Sequence, residues 1–426
     1  MITSHAPASL TLSPSQASAV SSLLDFIQDP NPSSWYFTFS GPAGTGKTFC
    51  MWKVVAIAAD SHTTFAYTAP TNKAAKVLKA ITGEARTIYS LLGLRVDKTG
   101  ALKQIVIGRK PDLSGIDVIF VDESSMINKN LFSILEGYCQ DSTLKVVFMG
   151  DRCQLPPVGE AESAVWDSDL GATLTKVMRH DNQILNLATA TRTAGQMAIP
   201  SLNFKSDHDS AGGVWKMTKP DFKKSIYEAA QNGDFSSGDN AKVVAWRNAR
   251  VAEYNDLIRH GIFGASARPG FYFPGDRIVA AGPCEQGDEI LMHTDDEAIV
   301  QSAIECKHPI EPRYSAIELQ CIDESGKQIR LLVIHPDSVE DFKADSQKLS
   351  EDAKHNGRLW KSFWAHQELF HQVKYAYALT AHRAQGSTYK MVWVDYVDIL
   401  ANRNRKEAFQ CLYTAVTRPT TFLYMG

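Results

Sequence analysis

A chain that carries Gly41-Pro42-Ala43-Gly44-Thr45-Gly46-Lys47-Thr48 between a strand and a helix has few folds open to it. The aromatic and Thr-rich run from Trp35 to Ser40 predicts a buried strand, and the stretch to Ala59 predicts a helix. Strand, Gly-x-x-x-x-Gly-Lys-Thr and helix, in that order, make a phosphate-binding loop. Gly41, Gly44 and Gly46 let the backbone turn back, so that N–H groups, Thr45's among them, converge on one phosphate. The helix that starts there adds its positive dipole end. Lys47 supplies a point charge for the β- and γ-phosphates, and the Thr48 hydroxyl is placed to hold Mg²⁺. The chain is expected to bind a nucleoside triphosphate.

A length of 426 residues predicts two to four domains, and 44% hydrophobic with 21% charged residues describes an ordinary globular composition. No apolar run approaches the ~18 residues of a membrane span, and no signal pattern opens the chain. Seven cysteines without a C-x-x-C pair read as reduced thiols, so the expected compartment is the cytosol. A net charge of −3 argues against a protein that coats nucleic acid nonspecifically, so any such contact is confined to a local groove.

The remaining chemistry falls at predicted strand ends. Before the loop, Ser13 and Pro14 start a helix on whose first turn Gln16 can meet the edge of an adenine, donating and accepting at once. The strand Thr63 to Ala69 ends in Pro70, Thr71 and Asn72, a second anion site beside the nucleotide. At the next junction Thr87 pairs a hydroxyl with Tyr89, a ring able to stack a base. Two short runs around Lys98-Thr99-Gly100 predict a hairpin that projects from the sheet. The strand Val118 to Val121 ends in Asp122, a candidate Mg²⁺ ligand, and Glu123, a candidate to polarise the attacking water. After the strand Lys145 to Met149, Gln154 lies where a γ-phosphate sensor belongs, and Arg179 falls at a domain junction.

The second half repeats the strand–helix rhythm without a phosphate loop. Short strands from Gly275 to Ile334 predict a small barrel inserted into it, followed by a helical segment whose Trp360, Phe363 and Trp364 read as core. Asp207 to Gly213 reads as a loop, and the sheet is expected to resume at Tyr375. Thr380, His382 and Gln385 then crowd one strand-to-helix turn, where Gly386 allows close backbone approach. Arg418, after Thr414 to Thr417, is either a cation complementing a helix terminus or an arginine finger reaching the other domain's γ-phosphate.

The ordered set resembles superfamily 1 helicases, and most closely the Dda-type phage helicases related to the RecD branch. The resemblance rests on Gln16, the 41–48 loop, Ala69-Pro70-Thr71, Thr87-Ile88, Asp122-Glu123, Gly150-Asp151 with Gln154, Arg179, the 375–388 block and Thr414 to Arg418. It implies an α/β fold of two RecA-like parallel-sheet domains, with a β-hairpin insertion in the first and an SH3-like β-barrel insertion in the second. The implied boundaries are 1–88 and 112–174 for domain 1A, 89–111 for the hairpin 1B, 175–262 and 373–426 for domain 2A, and 263–372 for the barrel 2B. It further implies ATP and Mg²⁺ as cofactors and 5′→3′ movement on single-stranded DNA with unwinding. Lys47, Glu123, Gln154, Arg179 and Arg418 would then serve catalysis, with Gln16 and Gly386 at the nucleotide. Pro70, Thr71, Asn72, Thr87, Tyr89, Thr380, His382 and Gln385 would line the DNA. Tyr89 stands where such helicases often have His, and Arg383 where Lys is common.

Implied partners are single-stranded DNA and its junctions with duplex, with single-strand-binding or replication proteins as candidates. The protein would act as a monomer, away from membranes, in the cytoplasm (the host's, if phage-encoded). Two alternatives stay open: a translocase that strips proteins with little unwinding, and a nucleotide-gated DNA-binding switch. A clamp-loader-like ATPase fits less well, because it would not need a second RecA-like half.

Overall fold

The computed structural model describes residues 11–58, 62–97, 104–140, 142–177, 183–197, 203–287 and 289–426. Its first half is built on a six-stranded sheet, in spatial order Arg86–Thr87, Phe65–Ala69, Val118–Val121, Lys145–Gly150, Tyr36–Ser40 and Gly171–Thr173. Every pairing in it is parallel. Parallel strands joined by crossover helices must be covered on both faces, which is why Val118–Val121 and Lys145–Gly150 are buried along their whole length. On one face Leu23, Phe39, Met51, Val54 and Phe120 pack together, and on the other Ile119, Leu131, Leu135, Val146 and Phe148 do. Because the strands run the same way, all their carboxyl ends, and the loops that follow, open on one edge.

A second six-stranded sheet has the order Ala378–Thr380, Ala241–Ala245, Tyr389–Val394, Pro419–Met425, Gly213–Lys216 and Asp207–His208. It is parallel except for the last pair. That pair corrects the loop expected over Asp207 to Gly213. Asp209 accepts hydrogen bonds from the Ala211 and Gly212 N–H groups at 2.7 and 3.2 Å, turning the chain into a short hairpin.

Between these strands the chain forms a five-stranded antiparallel sheet, in the order Gln328–Ile334, Ser315–Asp323, Glu297–Lys307, Arg277–Ala280 and Val373–Tyr375. Val373–Tyr375 pairs with Arg277–Ala280, so the parallel sheet resumes at Ala378 and not at Tyr375. The helices Val339–His355 and Trp360–Gln367 follow it. Trp360, Phe363 and Trp364 are only half-buried there and pack edge-on against one another, which corrects their reading as core.

Glu297 joins all three parts. Its carboxylate accepts from Lys242 Nζ at 2.7 and 2.9 Å and from Arg277 Nη2 at 2.9 Å, and Lys73 of the first half stands 3.8 Å away. Burial pushes this carboxyl up, but Lys242, Lys73 and Arg277 outweigh burial and hold it at about 2. Glu297→Ala would strand those cations in a buried site. It should cost about 3–5 kcal/mol in equilibrium urea unfolding, and a loss under ~1 kcal/mol would show the cluster to be dispensable.

Candidate nucleotide site and the cleft between the two parallel sheets

The phosphate loop leaves Tyr36–Ser40 and enters the helix Lys47–Ala58. Gly44 and Gly46 have φ of +80° and +88°, the left-handed region that glycine adopts without penalty. A Cβ on Gly46 would lie 2.6 Å from Gln16 Nε2, so the Gln16 side chain presses directly on the loop. That side chain is 4% exposed, donates through Nε2 to the Thr45 carbonyl at 3.0 Å, and accepts at Oε1 from its own Ser13 N–H at 3.0 Å. Gln16 therefore braces the loop and caps its helix. The predicted adenine contact would draw on the remaining amide hydrogen. Lys47 Nζ curls over the loop, donating to Gly41 O at 2.6 Å and Pro42 O at 3.2 Å, while Thr48 follows it on the first helical turn.

The carboxylates stand on the neighbouring strand end but one. Glu123 has φ +50°, an uncommon left-handed conformation for a non-glycine residue and one that recurs at functional sites. Its N–H donates to Asp122 Oδ1 at 2.9 Å, and the Asp122 N–H donates to Thr68 O at 2.9 Å. Burial raises both carboxyls; Lys47 pulls Asp122 back down. For Glu123 the adjacent Asp122 adds to burial, while Arg418 and Lys47 oppose it. Two acids held up by burial and mutual repulsion are the arrangement that a divalent cation relieves.

Gln154 lies on the loop after Lys145–Gly150, and its Oε1 is buried with no hydrogen-bond partner among the described residues. A buried acceptor left open fits a site that receives a polar ligand. The same loop touches the second half. Asp151 accepts from Tyr413 OH at 2.6 Å, and Gln410 Nε2 donates to Gln154 O at 3.2 Å.

Arg418 reaches the cleft from that side. It is 4% exposed, donating to Thr414 O at 2.8 Å, Ser387 O at 3.1 Å and Thr417 Oγ1 at 2.9 Å. The guanidinium satisfies the end of the helix Arg405–Val416, as the first of the two sequence readings expects, and its positive charge is among the influences that oppose the rise of the Glu123 carboxyl. Thr414 Oγ1 and Ser387 Oγ, next to these anchors, are buried without partners among the described residues.

Gln385 is 5% exposed, and its Nε2 donates to Ser125 Oγ of the first half at 2.9 Å. A side chain so placed bridges the two halves of the chain. Gly386, at φ +76°, brings the backbone against Ala74, whose Cβ would lie 3.3 Å from an added side chain. That contact is with the helix Asn72–Thr82. Arg179 lies outside the described residues.

The other DNA candidates sit on a common local device. Thr71, Thr87 and Thr380 each cap the helix that follows, accepting from Ala74, Ser90 and Arg383 N–H groups at 3.2, 3.1 and 3.4 Å. Asn72 opens the first of these helices half-exposed, whereas Pro70 is buried. Tyr89 packs half-buried against the first sheet's core, and burial raises its hydroxyl. His382 stands 3.9 Å from Glu407, and burial lowers its imidazole.

Comparison with known proteins places this cleft. A family profile described as an AAA domain matches residues 11–211, and one described as the UvrD-like helicase C-terminal domain matches residues 375–425. The chain is 25% identical to the ATP-dependent DNA helicase dda of Enterobacteria phage T4 over 90% of its own length and 92% of the relative's. It is 23% identical to the uncharacterized protein R530 of Acanthamoeba polyphaga mimivirus, over 93% and 96% of the two lengths. The crystal structure of Pif1 helicase from Bacteroides in complex with ADP-AlF3 and single-stranded DNA superposes with a TM-score of 0.51 at 15% identity, covering 97% of this chain and 92% of that one. Over nearly its full length the chain is therefore similar to a Dda-type DNA helicase, with an AAA domain in its first half and a UvrD-like helicase C-terminal domain near its end. In this chain the residues that join the halves, Ser125, Gln410, Tyr413 and Lys73, were not singled out from sequence. Lys73 donates to Tyr389 OH at 3.0 Å, and nothing local to either residue announces a partner 316 positions away. Tyr413 carried one signal, its place in the 411–418 block.

Proposed function

We propose that this protein is an ATP- and Mg²⁺-dependent DNA helicase that moves 5′→3′ on single-stranded DNA and separates duplex ahead of it. The observation that carries the reading is Arg418, anchored to Thr414 O and Ser387 O at the end of the helix whose Gln410 and Tyr413 meet Gln154 and Asp151 of the first half. Thr48 and Asp122 would hold the metal, which on binding neutralises charge developing on the phosphates. Lys47 and the loop amides would hold the phosphates themselves, Glu123 would orient and polarise water, and Gln154 would read the γ-phosphate. A switch that only binds nucleotide has little use for a water-polarising acid and a finger together. We assign Arg179 to the same chemistry on the strength of the family resemblance.

In this reading the two parallel sheets are RecA-like domains 1A (1–88 and 112–174) and 2A (175–262, resuming near 378), and the antiparallel sheet is an SH3-like 2B. Pro70, Thr71, Asn72, Thr87, Tyr89, Thr380 and His382 would line the DNA track. The protein would work as a monomer at single-strand/duplex junctions, in the host cytoplasm if phage-encoded, alongside single-strand-binding or replication proteins.

Strand separation is assigned to the hairpin. Leu94–Asp97 and Gln104–Ile107 pair antiparallel, with Leu94 opposite Ile107, and residues 98–103 at its tip lie outside the described residues. Its base is pinned where Gly93 O accepts from the Gly108 and Arg109 N–H groups at 2.9 and 3.1 Å. A projection so pinned, shortly after Thr87 and Tyr89, is where an incoming duplex would meet the protein. Each base-pair step resists with about 1.4 kcal/mol of stacking, so the wedge need only be stiff. Replacing residues 95–107 with a short Gly-Ser link should preserve single-strand-stimulated ATPase and collapse duplex unwinding, both measured on one preparation. Unwinding at the parental rate would remove the hairpin from the mechanism. Loss of DNA stimulation in the parent itself would remove the helicase reading.

A further inference from the structure

His382, Glu407 and Cys411 bring one imidazole, one carboxylate and one thiol to a single point. Their donor atoms all lie within 4.8 Å of one another, with His382 Nε2 3.9 Å from Glu407 Oε1. Glu407 and Cys411 are four residues apart on the helix Arg405–Val416 and so share a face. His382 comes from the short helix Ala381–Ala384 packed against it. Cys411 is fully buried in the core of the second sheet, whereas the side chains of His382 and Glu407 are 35% and 34% exposed. The cluster therefore has a closed floor and an open mouth.

We propose that these three side chains form a binding site for a thiophilic divalent transition metal, zinc foremost, with a fourth coordination position left open. Nitrogen, oxygen and sulfur together are the donor set that zinc accepts, and three protein ligands with one open position is a geometry it commonly adopts. Tetrahedral bonds of about 2.0–2.3 Å need donors about 3.3–3.6 Å apart. The two half-exposed side chains must close by no more than about 1.5 Å at any pair, a movement within reach of a glutamate's rotatable bonds. Burial lowers the His382 imidazole, so it is held neutral with a free lone pair. Burial also pushes the Cys411 thiol up to about 12, so the metal must release that proton to solvent as the Cys411 sulfur binds. The bound ion would clamp the turn carrying Thr380 and Gln385 to the helix Arg405–Val416 that precedes Arg418, stiffening one wall of the cleft.

Cobalt titration of the chelator-treated full-length protein tests this. One equivalent of Co²⁺ should bind with tetrahedral d–d bands and a thiolate-to-cobalt charge-transfer band, and Zn²⁺ should displace it, following their usual order of affinity. Cys411→Ser should keep the melting temperature of the metal-free parent and lose the charge-transfer band. Glu407→Gln should weaken binding at least about tenfold. Cobalt that fails to bind, binds without the charge-transfer band, or gives the same band in the Cys411→Ser protein would overturn the site. Equal affinity in the Glu407→Gln protein would overturn the three-ligand assignment.

Discussion

Lys47→Ala should reduce DNA-stimulated ATP turnover by at least about 10²–10³-fold, the scale set by removing one preorganised donor from a transition state. Lys47 is the cation that folds over the phosphate loop, with its amine already directed at Gly41 O and Pro42 O. Those two carbonyls are where the amine rests when no phosphate competes for it. A triphosphate in the loop would offer a charged acceptor in their place, a stronger hydrogen bond than a neutral carbonyl provides. The fold should survive, because the two lost bonds are only part-buried and each contributes on the order of 1 kcal/mol. The measurement is steady-state hydrolysis with saturating single-stranded DNA, with thermal melting as the control. Turnover close to the parent's, in a protein that melts at the parent's temperature, would detach the loop from hydrolysis.

Arg418→Ala should lower turnover by ~10³-fold or more while changing nucleotide affinity far less, because a finger's charge is matched to the transition state. The structure makes the conservative variant equally informative. The guanidinium is held at three points, by Thr414 O, Ser387 O and Thr417 Oγ1, so that its plane is set before any nucleotide arrives. A lysine amine lacks the planar fork and cannot hold that arrangement while pointing across the cleft. Arg418→Lys should therefore leave most of the defect in place. If Arg418→Ala instead raised the KM for ATP with kcat unchanged, the residue would belong to ground-state binding, and the helix-end role would be its main one.

What could be read from the sequence was whatever the chemistry demands of neighbours along the chain. The phosphate loop needs its glycines, lysine and threonine within eight consecutive positions. The carboxylate pair needs only to follow a buried strand, and the hairpin needs only two runs around a turn. Gln328–Ile334 was placed to the residue for the same reason, since an alternating run bounded by turns states its own length. Parallel strands then carried these loops to one edge, so the first half of the site followed from local signals and a rule of topology.

Contacts that close the cleft lie beyond such signals. Gln385 was given to DNA by the family resemblance of the turn it shares with Thr380 and His382. The fold buries it against Ser125, 260 positions away, where an unpaired amide would be costly. Val373–Tyr375 was read with the parallel sheet because of the motif that follows it, yet its ladder partners are Arg277–Ala280. Lys73 was given no role from sequence, and the fold brings Tyr389 and Glu297 beside it. The sequence alone determined which groups could hold a triphosphate and a metal, because that chemistry is written in adjacent residues. Only the tertiary structure decided that Arg418 is held by Thr414 and Ser387, and that Gln385, Gly386 and Lys73 join the two halves. Those pairings depend on how two separately folded sheets dock, and burial, not spacing along the chain, selects them.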